Sequence, residues 1–169
     1  MTLEEAIKTA LDYETRIRNI YADAVERIAD PAGKRILEML RDDEQYHIEY
    51  LKERLQLWEK TGKLSDQKLE TIIPSAETIQ RGMETVQAHL SQEVRFGETE
   101  ILGRALQAEV ETSNFYQKMV DELSDEGQRM FAQFLEIEEN HIAAVQAELD
   151  FVTKSGYWFD FKEFDMEEM

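Results

Sequence analysis

The stretch DDEQYHIEYL, residues 42–51, decides how the rest of the chain is interpreted. Leucines on both sides of it mark a helix with an apolar stripe, yet Glu44 and His47 occupy inward positions of that stripe. An acid and an imidazole on a buried face are costly unless each has a partner. The rest of the sequence should therefore contain the groups that compensate them.

The composition favours a single all-α domain spanning residues 1–169. A chain of 169 residues that is 42% hydrophobic can bury one real core. Its seven Gly and two Pro are few for a sheet protein, whose many turns need them.

The net charge limits the partners. A formal charge of −18 repels nucleic acid and anionic membranes, so neither is an expected partner and a cationic ligand is favoured. The absence of cysteine excludes disulfides and thiolate metal sites. The start, MTLEEAIKTALDYE, has no basic segment followed by an apolar run, and we expect a cytoplasmic protein.

Helical periodicity divides the chain into four long segments. We predict a helix pair at 3–60, a crossover at 61–97, a second pair at 98–154 and an aromatic tail at 155–169. Four amphipathic helices bury their apolar faces against one another in a four-helix bundle. Antiparallel neighbours need only a few connecting residues, so the long middle connection predicts a crossover along the bundle, with its own short helical segment, SAETIQRGMETVQAHL.

The sequence of the first helix pair is partly repeated in the second. ALDYETRIRNIY at 10–21 matches ALQAEVETSNFY at 105–116 in five of twelve positions. From Gly33 onward the matching residues lie 94 positions apart, which pairs Glu44 with Glu138 and His47 with His141. We therefore expect an internally duplicated helical hairpin.

Duplication aligns two Glu-x-x-His pairs, EQYH at 44–47 and EENH at 138–141, and adds two acids in the other helices. At a rise of about 1.5 Å per residue, Glu14 and the EQYH pair both lie roughly 20 to 24 Å from the turn that joins their helices. The second half gives the same depth. The sequence thus predicts six metal ligands at one level: Glu14, Glu44, His47, Glu109, Glu138 and His141.

Two divalent cations would make this arrangement tolerable. Four buried carboxylates repel one another, whereas four Glu and two neutral His balance two divalent ions. Oxygen and imidazole ligands together suit iron, with manganese as the alternative, while zinc usually takes fewer and softer ligands. The competing interpretation is an inert bundle in which the acids are solvated and the histidines have ordinary hydrogen-bond partners. We apply this interpretation to His89, which has no partner in the repeat.

Tyr21 and Tyr116 follow Glu14 and Glu109 by two helical turns on the same face. Each is either a core tyrosine with some other partner or a donor to a ligand carboxylate.

These residues resemble the rubrerythrin-like branch of the ferritin-like family. In that family two helices supply one Glu each, and the other two supply a Glu-x-x-His pair each. The resemblance runs from ALDYE to the glycine after the fourth helix. It implies an up-down-down-up bundle with a di-iron site that reacts with peroxide or dioxygen, and the six residues above as iron ligands.

The sequence departs from the rubrerythrin pattern in two ways. The chain has no cysteine for a rubredoxin-type iron site, so electrons would come from a separate donor protein. Thr112 stands where rubrerythrins place a further glutamate, which leaves a six-ligand set closer to ferritin ferroxidase centres.

Two functions stay open. In the first, Fe(II) at a di-iron centre reduces hydrogen peroxide or dioxygen, as in a peroxidase or ferroxidase. In the second, Fe(II) oxidation serves iron storage or handling. The tail, GYWFDFKEFDMEEM, either packs across the bundle end or forms a dimer contact, and we expect a homodimer or a higher homo-oligomer.

Overall fold

The computed structural model describes residues 1–65, 67–86, 96–155 and 158–161. Over these ranges the chain is all-α, without a strand, and its five helices are α1 (Leu3–Arg27), α2 (Pro31–Thr61), α3 (Ala76–Val86), α4 (Phe96–Glu122) and α5 (Asp125–Ser155). The all-α prediction is confirmed for this part of the chain. The long helices end within two residues of the predicted pair limits, and α3 lies inside the predicted crossover.

Local sequence explains where the first two helices begin. Thr2 forms a capping box with Glu5: its hydroxyl accepts from the Glu5 N–H at 3.1 Å, and the Glu5 carboxylate accepts from the Thr2 N–H at 2.8 Å. Asp30 caps α2 by accepting from the Gly33 N–H at 3.0 Å, with Pro31 in the first turn. The Asp30 cap lies in the short turn that makes α1 and α2 a hairpin.

Contacts between helices define their relative directions. The packed pairs are α1 with α2, α4 with α5, α1 with α4 and α3 with α5. Leu64, just beyond α2, bonds to Glu126 at the start of α5, whereas Arg35 near the start of α2 pairs with Asp160 beyond the end of α5. The α2 and α5 helices are therefore antiparallel.

The crossover before α3 runs along α5 in the same direction as that helix. Three side chains of α5, spaced seven residues apart, accept from its backbone: Glu126 from Leu64 N, Gln133 from Leu69 N and Asn140 from Ala76 N. Residues seven apart share a helix face, and the acceptors span about 21 Å at 1.5 Å per residue. The connection thus travels lengthwise, as the sequence predicts.

A layer of buried polar residues separates two apolar clusters in the core. The clusters meet between Ala10 and Ile17 in α1, Leu40 and Tyr50 in α2, Ala108 and Phe115 in α4, and Ile137 and Ala144 in α5. Each of these four intervals contains one or two of the six predicted ligands. The six residues therefore lie at one level of the core.

Part of the aromatic tail packs inside the chain itself. Trp158, Phe159 and Phe161 are buried in one of the apolar clusters. The indole of Trp158 lies against Gly33, where a Cβ would meet the ring at 2.6 Å, and its N–H donates to Glu98 at 3.0 Å. This agrees with packing of the tail on the helices of its own chain, and the dimer contact stays a prediction. The remaining tail aromatics lie outside the described residues.

None of the helices in the described ranges combines the length and the apolarity that a membrane crossing requires.

Candidate metal centre

The six predicted ligands meet inside the polar layer, and none of them has exposed surface. They come from four helices: Glu14 from α1, Glu44 and His47 from α2, Glu109 from α4, Glu138 and His141 from α5. Among the described residues they form two groups whose ligand atoms lie within 4.8 Å of one another: Glu14, Glu44 and His47, and Glu44, Glu109, Glu138 and His141. Glu44 belongs to both groups, so it would contact both cations if each group held one.

In both histidines, Nε2 faces a group that is not one of the six predicted ligands. His47 Nε2 lies 3.2 Å from the Glu70 carbonyl oxygen, and His141 Nε2 lies 2.7 Å from Asp43 Oδ2. The Glu70 carbonyl oxygen can only accept, so Nε2 of His47 carries a proton, whereas both ring nitrogens of His141 lie 2.7 Å from a carboxylate oxygen. Nδ1 is left for the centre: in His141 it lies 2.7 Å from Glu44 Oε1, and in His47 it has no hydrogen-bond partner.

Asp43 is a buried part of the centre that was not predicted from the sequence. Its Oδ2 lies 2.7 Å from His141 Nε2 and 3.6 Å from His47 Nε2. Burial alone would raise the pKa of Asp43, but hydrogen bonding and charge from His141 outweigh it and lower that pKa to about 2. An ionised Asp43 therefore orients the imidazole of His141 and places a negative charge near that of His47. The repeat contained a signal for this residue, because position 43 matches the buried Ile137.

The two tyrosines form a crossed pair of hydrogen bonds between α1 and α4. Tyr21 donates to Glu109 Oε1 at 2.7 Å, and Tyr116 donates to Glu14 Oε1 at 2.6 Å. The 21–109 and 116–14 pairing shows that α1 and α4 are antiparallel. Each hydroxyl fixes one oxygen of a glutamate and leaves the other oxygen for the centre. Metal binding by these two glutamates stays a prediction.

Buried ligand atoms without partners test whether the residues fit cations. In the described part of the centre these atoms are Glu14 Oε2, Glu44 Oε2, His47 Nδ1, Glu109 Oε2 and both carboxylate oxygens of Glu138. Nearly all buried polar atoms in native proteins have a partner, so this concentration requires an explanation. All six atoms have lone pairs to offer, and the four carboxylates carry the charge that balances two divalent cations. The residues therefore fit a cation pair.

Without cations, Glu44 and Glu138 would hold protons instead. Burial, followed by the charges of Glu14 and Glu109, raises the pKa of Glu44 well above its ordinary value. Burial and Glu109 do the same to the pKa of Glu138. Burial disfavours a charged His141 ring, but the carboxylates of Glu44 and Glu109 outweigh it and raise the pKa of His141. Cation binding must displace these protons.

Thr112 and Glu148 are also buried polar residues outside the ligand set. Thr112, where the family resemblance would place a glutamate, donates to the Ala108 carbonyl of its own helix at 2.8 Å. Glu148, which sequence reasoning missed, accepts from the Phe159 N–H at 2.6 Å and anchors the tail. His89 falls outside the described residues.

Comparisons with protein-family models, curated proteins and solved structures find no match to this chain.

Proposed function

We propose that the chain is a non-haem di-iron protein of rubrerythrin and ferritin type. In this proposal α1, α2, α4 and α5 form an up-down-down-up four-helix bundle, with the metals in the polar layer. The antiparallel contacts of α1 with α4 and of α2 with α5 support this topology. The lengthwise course of the crossover along α5 supports it as well.

The observation that carries the proposal is the convergence of unpartnered, fully buried ligand atoms from four helices. A buried acid cluster that served only folding would be expected to pair with Lys or Arg. Here no Lys or Arg in the described part of the chain forms an ion pair with these carboxylates; His141 lies beside Glu44 and Glu109, and His47 has an unpartnered Nδ1. Two iron ions, or manganese under other supply, would complete the set.

Iron bound at this centre would supply the electrons: reduction of one hydrogen peroxide to two waters takes two electrons and two protons, and dioxygen takes four of each. The chain contributes the surroundings. Its four glutamates would stabilise the higher positive charge of an oxidised metal pair. Asp43 orients the imidazole of His141, Tyr21 and Tyr116 orient Glu109 and Glu14, and the two apolar clusters keep bulk water away.

A ferroxidase that serves iron storage or handling is the second candidate, and Thr112 favours it. Its hydroxyl bonds to its own helix, so the set of ligands stays at six. Since the sequence contains no cysteine, repeated turnover as a peroxidase would need electrons from a separate protein. A cytoplasmic location and a homo-oligomeric assembly stay predictions.

Peroxide titration of the iron-loaded chain tests the function. Protein loaded anaerobically with Fe(II) should consume one peroxide for every two irons oxidised, and should do so again after chemical reduction. Glu138→Gln should slow the reaction, whereas Glu139→Gln, which changes an exposed neighbour on the same helix, should not. Oxidation at the rate of free Fe(II) in buffer, unchanged in Glu138→Gln, would contradict the proposal. Retention of many irons per chain in a large shell would favour storage.

A further inference from the structure

Residues 67–73, which we call the strap, lie against the outer side of the candidate centre. The Glu70 carbonyl oxygen lies 3.2 Å from His47 Nε2. Thr71 donates its hydroxyl proton to Asp43 Oδ2 at 2.6 Å, and the Ile72 N–H donates to Asp43 Oδ1 at 3.0 Å. The strap therefore reaches both predicted histidine ligands, one directly and the other through Asp43.

The strap is held in a defined place although it forms neither helix nor strand. Leu69 and Ile73 are buried, while the Leu69 N–H bonds to Gln133 on α5. Tyr50 on α2 donates to the Gln67 carbonyl oxygen at 2.7 Å. The Thr71 hydroxyl also accepts from the Ile73 N–H at 3.1 Å. The strap is thus attached to both helices that carry a Glu-x-x-His pair.

Asp43 links the strap to the centre. Its two oxygens accept from Thr71, from the Ile72 N–H and from His141, so its orientation depends on the strap being docked. The corresponding residue in the second half of the repeat is Ile137, which offers no acceptor. A single carboxylate therefore positions His141, and the strap fixes that carboxylate.

We propose that the strap is a positioning element of the metal centre, so that metal loading and strap docking stabilise each other. The inference rests on the proposed di-metal site. Its physical basis is reciprocity: if the docked strap raises the affinity of the imidazoles for metal, bound metal must favour the docked strap by the same factor. Groups that orient metal-ligating histidines typically change metal affinity by about 10- to 100-fold.

Thr71→Val tests the positioning role, because it removes the hydroxyl and nearly keeps the side-chain volume. The probe is Co²⁺ added to the metal-free full chain, since its visible absorption reports the ligand field. We expect Thr71→Val to bind Co²⁺ about tenfold more weakly with an altered spectrum. Thr71→Ser should restore both. Thr78→Val is the matched control, because its hydroxyl contacts Ser75 at the start of α3 instead of the centre.

Hydrogen exchange of the wild-type chain gives a readout that needs no variant. The Ile72 amide, which donates to Asp43, should exchange about tenfold more slowly once Co²⁺ is bound. The Lys34 amide, in the first turn of α2, bonds to the Asp30 carbonyl and should show a smaller change.

The outcomes separate the two proposals. If wild-type protein binds no Co²⁺, the di-metal site and the strap inference both fail. If wild-type protein binds Co²⁺ but Thr71→Val has the same affinity and spectrum, the strap inference alone is overturned. The same conclusion follows if metal leaves the exchange of the Ile72 amide unchanged, which keeps the test decisive even if Thr71→Val does not fold.

Discussion

Glu44→Gln should abolish most of the stabilisation that metals give this protein. A ligand that binds only the folded state at about 100 times its dissociation constant stabilises by about 2.7 kcal/mol per site. Two sites give about 5 kcal/mol, which corresponds to roughly 10 to 20 °C in a protein of this size. Because Glu44 belongs to both ligand groups, its loss weakens both sites.

The sign of the effect should reverse in the metal-free protein. There burial and the charges of Glu14 and Glu109 raise the pKa of Glu44 and disfavour its ionised form, so a neutral amide should leave the stability unchanged or increase it. Thermal unfolding with Mn²⁺ and with a chelator measures both states, and Glu139→Gln is the exposed control. An equal metal-induced shift in Glu44→Gln and the wild type would refute the bridging position of Glu44.

Three other predictions follow from single contacts. Tyr116→Phe removes the donor to Glu14 and should lower Co²⁺ affinity about tenfold by titration; unchanged affinity would remove the tyrosine from the centre. Gly33→Ala places a Cβ 2.6 Å from the Trp158 ring and should cost about 1–3 kcal/mol in urea unfolding, so an unchanged midpoint would contradict this packing. Burial raises the pKa of Glu148, so the folded state keeps its proton to higher pH than the unfolded state and the wild-type free energy of unfolding falls as pH rises above the ordinary Glu range. Glu148→Gln should remove up to about 1.4 kcal/mol of that loss per pH unit. Equal pH dependence of the free energy of unfolding in the variant and the wild type would contradict the raised pKa.

The long helices and the ligand level could be predicted from the sequence because both depend on local rules. Apolar spacing fixes which face of each helix is buried, and the rise per residue fixes depth along a hairpin. The repeat then distinguishes Glu44 and Glu138 from the many exposed acids, since chance does not align two Glu-x-x-His pairs.

The outer surroundings of the centre could not be predicted in the same way. Asp43 lies in the acidic run 42–44 beside Asp42, which is exposed, so composition gives no reason to separate these two aspartates. The strap has no periodic pattern, and its position depends on side chains of α2 and α5 that are far away in sequence. Glu148 is explained only by a tail that folds back to offer it an N–H.

The number of metal ions per chain tests the central claim most directly. After anaerobic loading with Fe(II) and removal of loosely bound metal, elemental analysis should find two irons per wild-type chain. Glu138→Gln keeps the group of Glu14, Glu44 and His47, so it should retain about one. Less than one iron per wild-type chain, with no change in thermal stability on loading, would contradict the account.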